Sequence, residues 1–178
     1  VTKILERVVQ PGMIVYDVGA HVGIHTLYIC RLLQGSGSVY AFEPWPDNLK
    51  ALVGNLQRNP SLQPIAVPVP LAVGAHTGLT KLTRGASDGR HHLCGLEEEG
   101  DITVGLTALD DFISIGNPPP ALVKIDIEGH EEEALNGAER LLHEVRPALL
   151  LEHHGAGRAL AERLAAAGYE THSAGRRH

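Results

Sequence analysis

Apolar and polar positions change period several times along this chain, and each change marks an element. Ile4, Leu5, Val8 and Val9 share one helical face, so Val1 to Val9 reads as the end of a helix that Pro11-Gly12 stops. Met13 to Tyr16 is a β-prone run leading into Asp17, with glycines at 19 and 23. Ile24, Leu27, Tyr28 and Leu32 then recur at helical spacing up to Gly35. The pattern predicts a buried strand, a tight glycine turn and an amphipathic helix. Ser38 to Glu43 predicts a second strand ending in an acid. Pro46 opens a helix whose inner face is Leu49, Leu52, Val53 and Leu56.

Ile65 to Val73 is β-prone but carries Pro68 and Pro70, which predicts an edge strand. Leu79 to Thr83 and Ile102 to Leu106 are short strand-like runs. Between them Arg84 to Gly100 is polar and glycine-rich, which reads as a flap or a disordered loop. Within it His91-His92 reads as a solvated pair or a substrate contact, and Glu97 to Glu99 as a solvated run. Thr107 to Ile113 predicts a short helical turn before three prolines. Val123 to Ile127 predicts a central strand, followed by a helix with Ala134, Leu135, Ala138, Leu141 and Leu142 as its core face. Glu131 to Glu133 in its first turn suit the helix dipole. Pro147 to Leu151 predicts another buried strand, Arg158 to Ala167 a helix capped by Gly168, and Tyr169 to Ser173 a sixth strand.

Strands alternating with helices predict an α/β protein, a mostly parallel sheet flanked by helices. At 178 residues, with 43% hydrophobic and 20% charged residues, one soluble domain over 1–178 is expected. Aromatics are only 4%, so the core must be mainly aliphatic. The net charge of −6, with no basic cluster longer than Arg176-Arg177, counts against a nucleic-acid partner. No apolar run is long enough for a membrane span. Two cysteines are too few for a disulfide framework, and a reducing cytoplasm is the expected location. The chain opens inside a helical pattern, so trimming upstream of Val1 is expected.

The glycine turn has the form Asp-x-Gly-x-x-x-Gly, not the Gly-x-Gly-x-x-Gly that cradles a pyrophosphate. A carboxylate at Asp17 would repel phosphate and suit a cationic or polyhydroxylated ligand, such as S-adenosylmethionine with its ammonium group and ribose. The same residues would also serve as a plain turn in any α/β protein. Glu43 stands where an acid in a βαβ unit can bond both ribose hydroxyls. Trp45 could lie on an adenine ring or pack on the neighbouring helix.

The stretch from Ala121 to Glu131 is unusual, because Lys124, Asp126 and Glu128 share one strand face. Charges inside a buried parallel strand are unfavourable unless they pair or serve a site. A purely structural salt bridge is one reading. The other is a ligand site, since Asp126 and Glu128 fall at the carboxyl end, where open α/β sheets bind ligands. Glu152, His153 and His154 at the next strand end add polar groups. An imidazole pair with acids could also hold a divalent metal, although no metal ligand is assigned.

Asp17-Val18-Gly19-Ala20-His21-Val22-Gly23, Glu43-Pro44, Leu109-Asp110, Lys124-Ile125-Asp126-Ile127-Glu128-Gly129-x-Glu131 and Arg146-Pro147-x-Leu149-Leu150-Leu151-Glu152 occur in this order. Together they resemble the FkbM family of S-adenosylmethionine-dependent methyltransferases, over nearly the whole chain. The resemblance implies a Rossmann-like class I fold of seven strands and O-methylation of a hydroxyl on a sugar, macrolide or similar metabolite. It implies that Asp17, Gly19 and Glu43 hold the cofactor. The neighbouring positions Ala20, His21, Gly23, Pro44 and Ala72 are candidates for the same site. His21 departs from the Asn common in that turn, and the last strand of the usual hairpin has no clear counterpart.

An alcohol is nearly as weak an acid as water, pKa about 15.7, so methyl transfer to it needs a base or a metal. Asp126 is the candidate base. Lys124 would position it, Glu128 or Glu152 would orient the acceptor, and His153 and His154 are alternatives. Other functional classes are an NAD(P)-dependent oxidoreductase and a non-catalytic binding module. The acceptor and the oligomeric state are not encoded in these patterns.

Overall fold

The computed structural model describes residues 1–84, 91–94, 101–153 and 157–172, the backbone alone for 84 and 91–94. Strands β1 (Ile14–Val18), β2 (Ser38–Phe42), β3 (Ala66–Val69), β8 (Leu122–Ile125) and β9 (Ala148–Leu151) form a five-stranded sheet in the order β3-β2-β1-β8-β9. Every pairing in it is parallel. The remaining strands are β4 (Leu71–Val73), β5 (Gly78–Arg84), β6 (His91–Cys94) and β7 (Ile102–Thr107). They form a second sheet in the order β4-β7-β5-β6, with β5 antiparallel to both neighbours.

The two faces of the parallel sheet bury different helices, because side chains alternate along each strand. Val15, Val39 and Leu122 pack against α1 (Thr2–Val8) and α2 (Ile24–Leu32) through Leu5, Ile29, Cys30 and Leu33. Ala41 on the same face packs with Leu52 and Leu56 of α3 (Pro46–Gln57). On the opposite face Tyr16, Val18, Phe42, Val123 and Ile125 meet α4 (Leu109–Ser114), α5 (Glu131–Asn136) and α6 (Gly157–Ala166). Tyr16, Tyr40, Phe42 and Phe112 contact one another as tilted or edge-on rings there. Most of the chain's few aromatics are thus spent in one cluster.

Ile65 to Val73 is not one strand. It breaks at Pro70, and β3 and β4 go to different sheets, each lying at an edge. The amide of Glu43 donates to the Val69 carbonyl at 3.0 Å, so Val69 points its polar groups at β2 and Pro68 points outward. The strand expected over Val123 to Ile127 is interior, as its apolar run implies, but it ends at Ile125. The Asp126 amide still reaches the Val18 carbonyl of β1 at 3.1 Å. Beyond it the backbone turns sharply, with positive φ at Glu128 (55°) and Gly129 (101°).

Part of the Arg84–Gly100 stretch pairs as β6, although its side chains, His91 and His92 among them, and Glu97 to Glu99 lie outside the described residues. Tyr169 to His172 is not a strand, and Ser173 lies outside the described residues. The Tyr169 amide closes the end of α6 on the Leu164 carbonyl, and the Arg146 guanidinium lies 5.1 Å from the Tyr169 ring centroid. Glu170, Thr171 and His172 offer no apolar face to hold them on a sheet. Among the described residues the parallel sheet has five strands, against the seven that the resemblance implies.

Candidate active site at the carboxyl ends of the parallel strands

A cavity of about 530 Å³ opens where β1, β2 and β8 end. The chain crosses from β1 to β2 on one side, and β8 enters later on the other side of β1, which leaves a crevice between the loops that follow these strands. Gly19, Ala20 and His21 of the first turn line it, with Glu43 and Pro44 after β2, Ala72 of β4, and Asp126 and Glu128 after β8. All eight are positions that the sequence singled out. Asn48, His25, His130 and the apolar side chains of Phe42, Val73 and Ile127 complete much of the wall.

The first turn is fixed by backbone geometry. Gly19 has φ +79°, and the amides of Gly19 and Ala20 both donate to the Phe42 carbonyl, at 3.1 and 3.0 Å. A Cβ on Gly19 would fall 2.0 Å from the Asp126 carbonyl oxygen, so the turn and the end of β8 touch backbone to backbone. Gly23, with φ +89°, caps α2 and does not line the cavity. A Cβ there would fall 2.3 Å from Leu52 Cδ1, so its role is to let α2 approach α3.

Glu43 is buried, 6% exposed, and its carboxylate organises the loops around it. Oε2 accepts from the His21 amide and Oε1 from the Trp45 amide, each at 2.8 Å. Burial raises its pKa, while the hydrogen bonds from Trp45, His21 and Asn48 oppose the shift. Trp45 is buried too but is not among the lining residues.

Asp17 and Lys124 do not line the cavity. They lie beneath its floor on the α2 side, where Lys124 Nζ donates to Asp17 Oδ1 at 2.9 Å and Thr26 Oγ1 to Oδ2 at 2.7 Å. Asp17 and Thr26 are fully buried, so the acid of the glycine turn anchors the helix rather than facing a ligand. Lys124 also reaches the Gly19 carbonyl at 3.4 Å and Asp126 Oδ2 at 3.9 Å. The Asp126 side chain is 23% exposed and does face the cavity.

Glu152 and His153 are not brought to this site. They follow β9, the outermost strand of the sheet, and the His153 ring packs over Gly157 at the start of α6. His154 lies outside the described residues. Among the described residues no group of three His, Cys, Asp or Glu side chains is placed to hold a metal.

The sheet order, the glycine turn and the crevice define a Rossmann-like fold of the class I methyltransferase type. A family model described as the methyltransferase FkbM domain matches residues 17–171, and the chain belongs to that family. It is 29% identical over 158 residues to the hexuronic acid methyltransferase AglP of Haloferax volcanii. That match covers 87% of this chain and 62% of the relative, so the chain spans under two thirds of its length. Methyltransferase FkbM from Methylobacillus flagellatus superimposes with a TM-score of 0.66 at 20% identity, covering 93% of this chain and 44% of the other. Aeropyrum pernix fibrillarin, solved with S-adenosyl-L-methionine bound, gives 0.56 at 11% identity, covering 93% and 61%.

Proposed function

We propose that this chain is an S-adenosylmethionine-dependent O-methyltransferase that acts on a hydroxyl of a sugar or similar small metabolite. The carrying observation is the convergence of the Gly19–His21 turn, Glu43 and Asp126 on one cavity. Membership of the FkbM family supports methyl transfer, and the likeness to the Haloferax hexuronic acid methyltransferase supports a sugar acceptor.

The donor set fits this cofactor. Glu43 stands at the end of the second strand, where its carboxylate can accept from ribose hydroxyls. The described wall carries Glu43, Asp126 and Glu128 and neither Lys nor Arg, which suits an ammonium and a sulfonium and disfavours a pyrophosphate. That polarity also weighs against a nicotinamide dinucleotide. When bound, the cofactor supplies a methyl group activated by its sulfonium.

The chain's own part begins with orientation. Holding the acceptor oxygen in line with the methyl carbon removes most of the entropic barrier to the encounter. Glu128, held in a left-handed turn at the cavity wall, orients the acceptor. Asp126 places a negative charge beside the reacting hydroxyl and favours departure of its proton. Lys124 holds Asp126 from below through its contact with Oδ2.

Calorimetry with S-adenosylhomocysteine and with NAD tests the cofactor, and binding of NAD alone would overturn the reading. Product mass spectrometry over a library of sugars, uronic acids and macrolides tests the reaction. A gain of one methyl on a hydroxyl is expected, and an absence of methylated product across the library would leave a binding module instead.

A further inference from the structure

We propose that His25 is the general base of this site and that Asp126 acts through it. The inference rests on the methyl-transfer reading above and names the atom on which the acceptor's proton lands. His25 is the second residue of α2 and is half-buried in the wall of the same cavity as Asp126. The next residue, Thr26, is fully buried and bonded to Asp17, so the backbone that carries His25 is pinned to β1. Among the described residues the His25 ring has no hydrogen-bond or ion-pair partner of its own, which leaves a nitrogen lone pair for a ligand.

The charges around the ring come from three packed elements. Asp17 lies on β1, Lys124 on β8 and Asp126 just beyond β8, and all three act on it electrostatically. Desolvation lowers the His25 pKa most and Lys124 lowers it further, while Asp17 and Asp126 oppose them. Burial and Lys124 thus favour the uncharged imidazole, the form able to accept a proton. Once it has done so, Asp126 and Asp17 stabilise the imidazolium.

Chemistry favours this division of labour. An imidazole is ordinarily a stronger base than a carboxylate and so the better match for an alcohol. Of the other histidines in the wall, His21 is exposed, with its backbone amide bonded to Glu43, and His130 stands at the N-cap position of α5 without a side-chain bond to the helix. In the step itself the hydroxyl proton moves to a His25 ring nitrogen and the oxygen lone pair forms the new bond to the methyl carbon. The electrons of the broken carbon–sulfur bond stay on sulfur as a thioether. The imidazolium then releases its proton to water, so the net products are a methyl ether, S-adenosylhomocysteine and a proton.

Two measurements test this, one of which needs no turnover. In the complex with S-adenosylhomocysteine, NMR titration of His25 is expected to give a midpoint below its ordinary value, and Asp126→Asn is expected to lower it further. A midpoint unaffected by Asp126→Asn overturns the proposal. His25→Gln is expected to bind S-adenosylhomocysteine and melt as the wild type does, with turnover lower by about 10²–10⁴-fold. It is also expected to lose the acidic limb of the kcat/KM profile that coincides with the NMR midpoint. An active wild type whose His25→Gln variant keeps its turnover, or keeps that limb, overturns the role of His25 alone. A wild type that methylates nothing sinks the methyl-transfer reading and this one together.

Discussion

Lys124 Nζ lies 2.9 Å from Asp17 Oδ1, and both side chains are buried. The pair joins β8 to β1 beneath the cavity, and Thr26 extends it to α2. Removing one partner of a buried pair leaves the other charge uncompensated, at a typical cost of about 3–5 kcal/mol. Lys124→Met is therefore expected to destabilise the fold by that order, measured by urea unfolding. The double variant Asp17→Asn with Lys124→Met should recover much of the loss. Equal stability of Lys124→Met and wild type would show that the pair does not hold the floor together.

Glu43→Ala is expected to weaken S-adenosylhomocysteine binding by about 1–3 kcal/mol, since ribose donors and the His21 and Trp45 amides lose their acceptor. Calorimetry measures this directly. Unchanged affinity would remove Glu43 from the cofactor site.

The same carboxyl makes a pH-dependent contribution to stability. Its folded-state pKa is raised, chiefly by burial, so the folded state holds the proton more tightly than the unfolded chain does. Its contribution is then fully present below the unfolded value and is lost as pH rises through the folded value. Glu43→Gln cannot ionise. Its stability relative to wild type should therefore increase between mildly acidic and neutral pH, as read from urea midpoints across that range. A difference that stays flat with pH would contradict the shift.

Asp126→Asn keeps the shape of the side chain and removes its charge. Normal S-adenosylhomocysteine binding, a melting temperature near wild type and a turnover lower by about 10²–10⁴-fold are expected. If the variant unfolds or keeps full turnover, Asp126 has no part in moving the acceptor's proton. A chelator added to the wild type separates the remaining possibility, because only a metal-dependent enzyme loses activity.

Gly19→Ala combines two penalties. Its φ of +79° carries strain on the order of 1–3 kcal/mol for a residue with a side chain, and the new methyl would overlap the Asp126 carbonyl. Lower stability and weaker S-adenosylhomocysteine binding are expected together, by calorimetry and thermal melting. Wild-type values for both would show that the turn and the β8 end move apart freely.

The first strand, turn and helix were legible because the period of apolar positions changes there and the glycines mark the turn. Glu43 was legible because its distance from the glycine turn is set by the βαβ unit. Asp17 does not line the cavity because side chains alternate across a strand: it points at α2, not out of the strand end. Glu152 and His153 lie away from the cavity for a different reason. They do follow the carboxyl end of a strand, but that strand is outermost and the crevice lies over β1, β2 and β8. The second sheet depends on Leu71–Val73 meeting Gly105–Thr107, a pairing that no local pattern announces. His25 carries no signal in the sequence, because a polar residue in the first turn of an amphipathic helix ordinarily faces water.

The prolines of β3 bear on how this molecule meets others. Since Val69 turns its polar groups towards β2, the alternation of the backbone puts positions 68 and 70 on the outer side, and both are proline. That margin of the sheet therefore lacks amide hydrogens where an incoming strand would need them. At the opposite margin Ala148 and Glu152 donate inward to β8, so the N–H groups of Leu149 and Leu151 point away from it. Strand addition, whether by a further segment of polypeptide or by a second molecule, is thus directed to β9 and discouraged at β3.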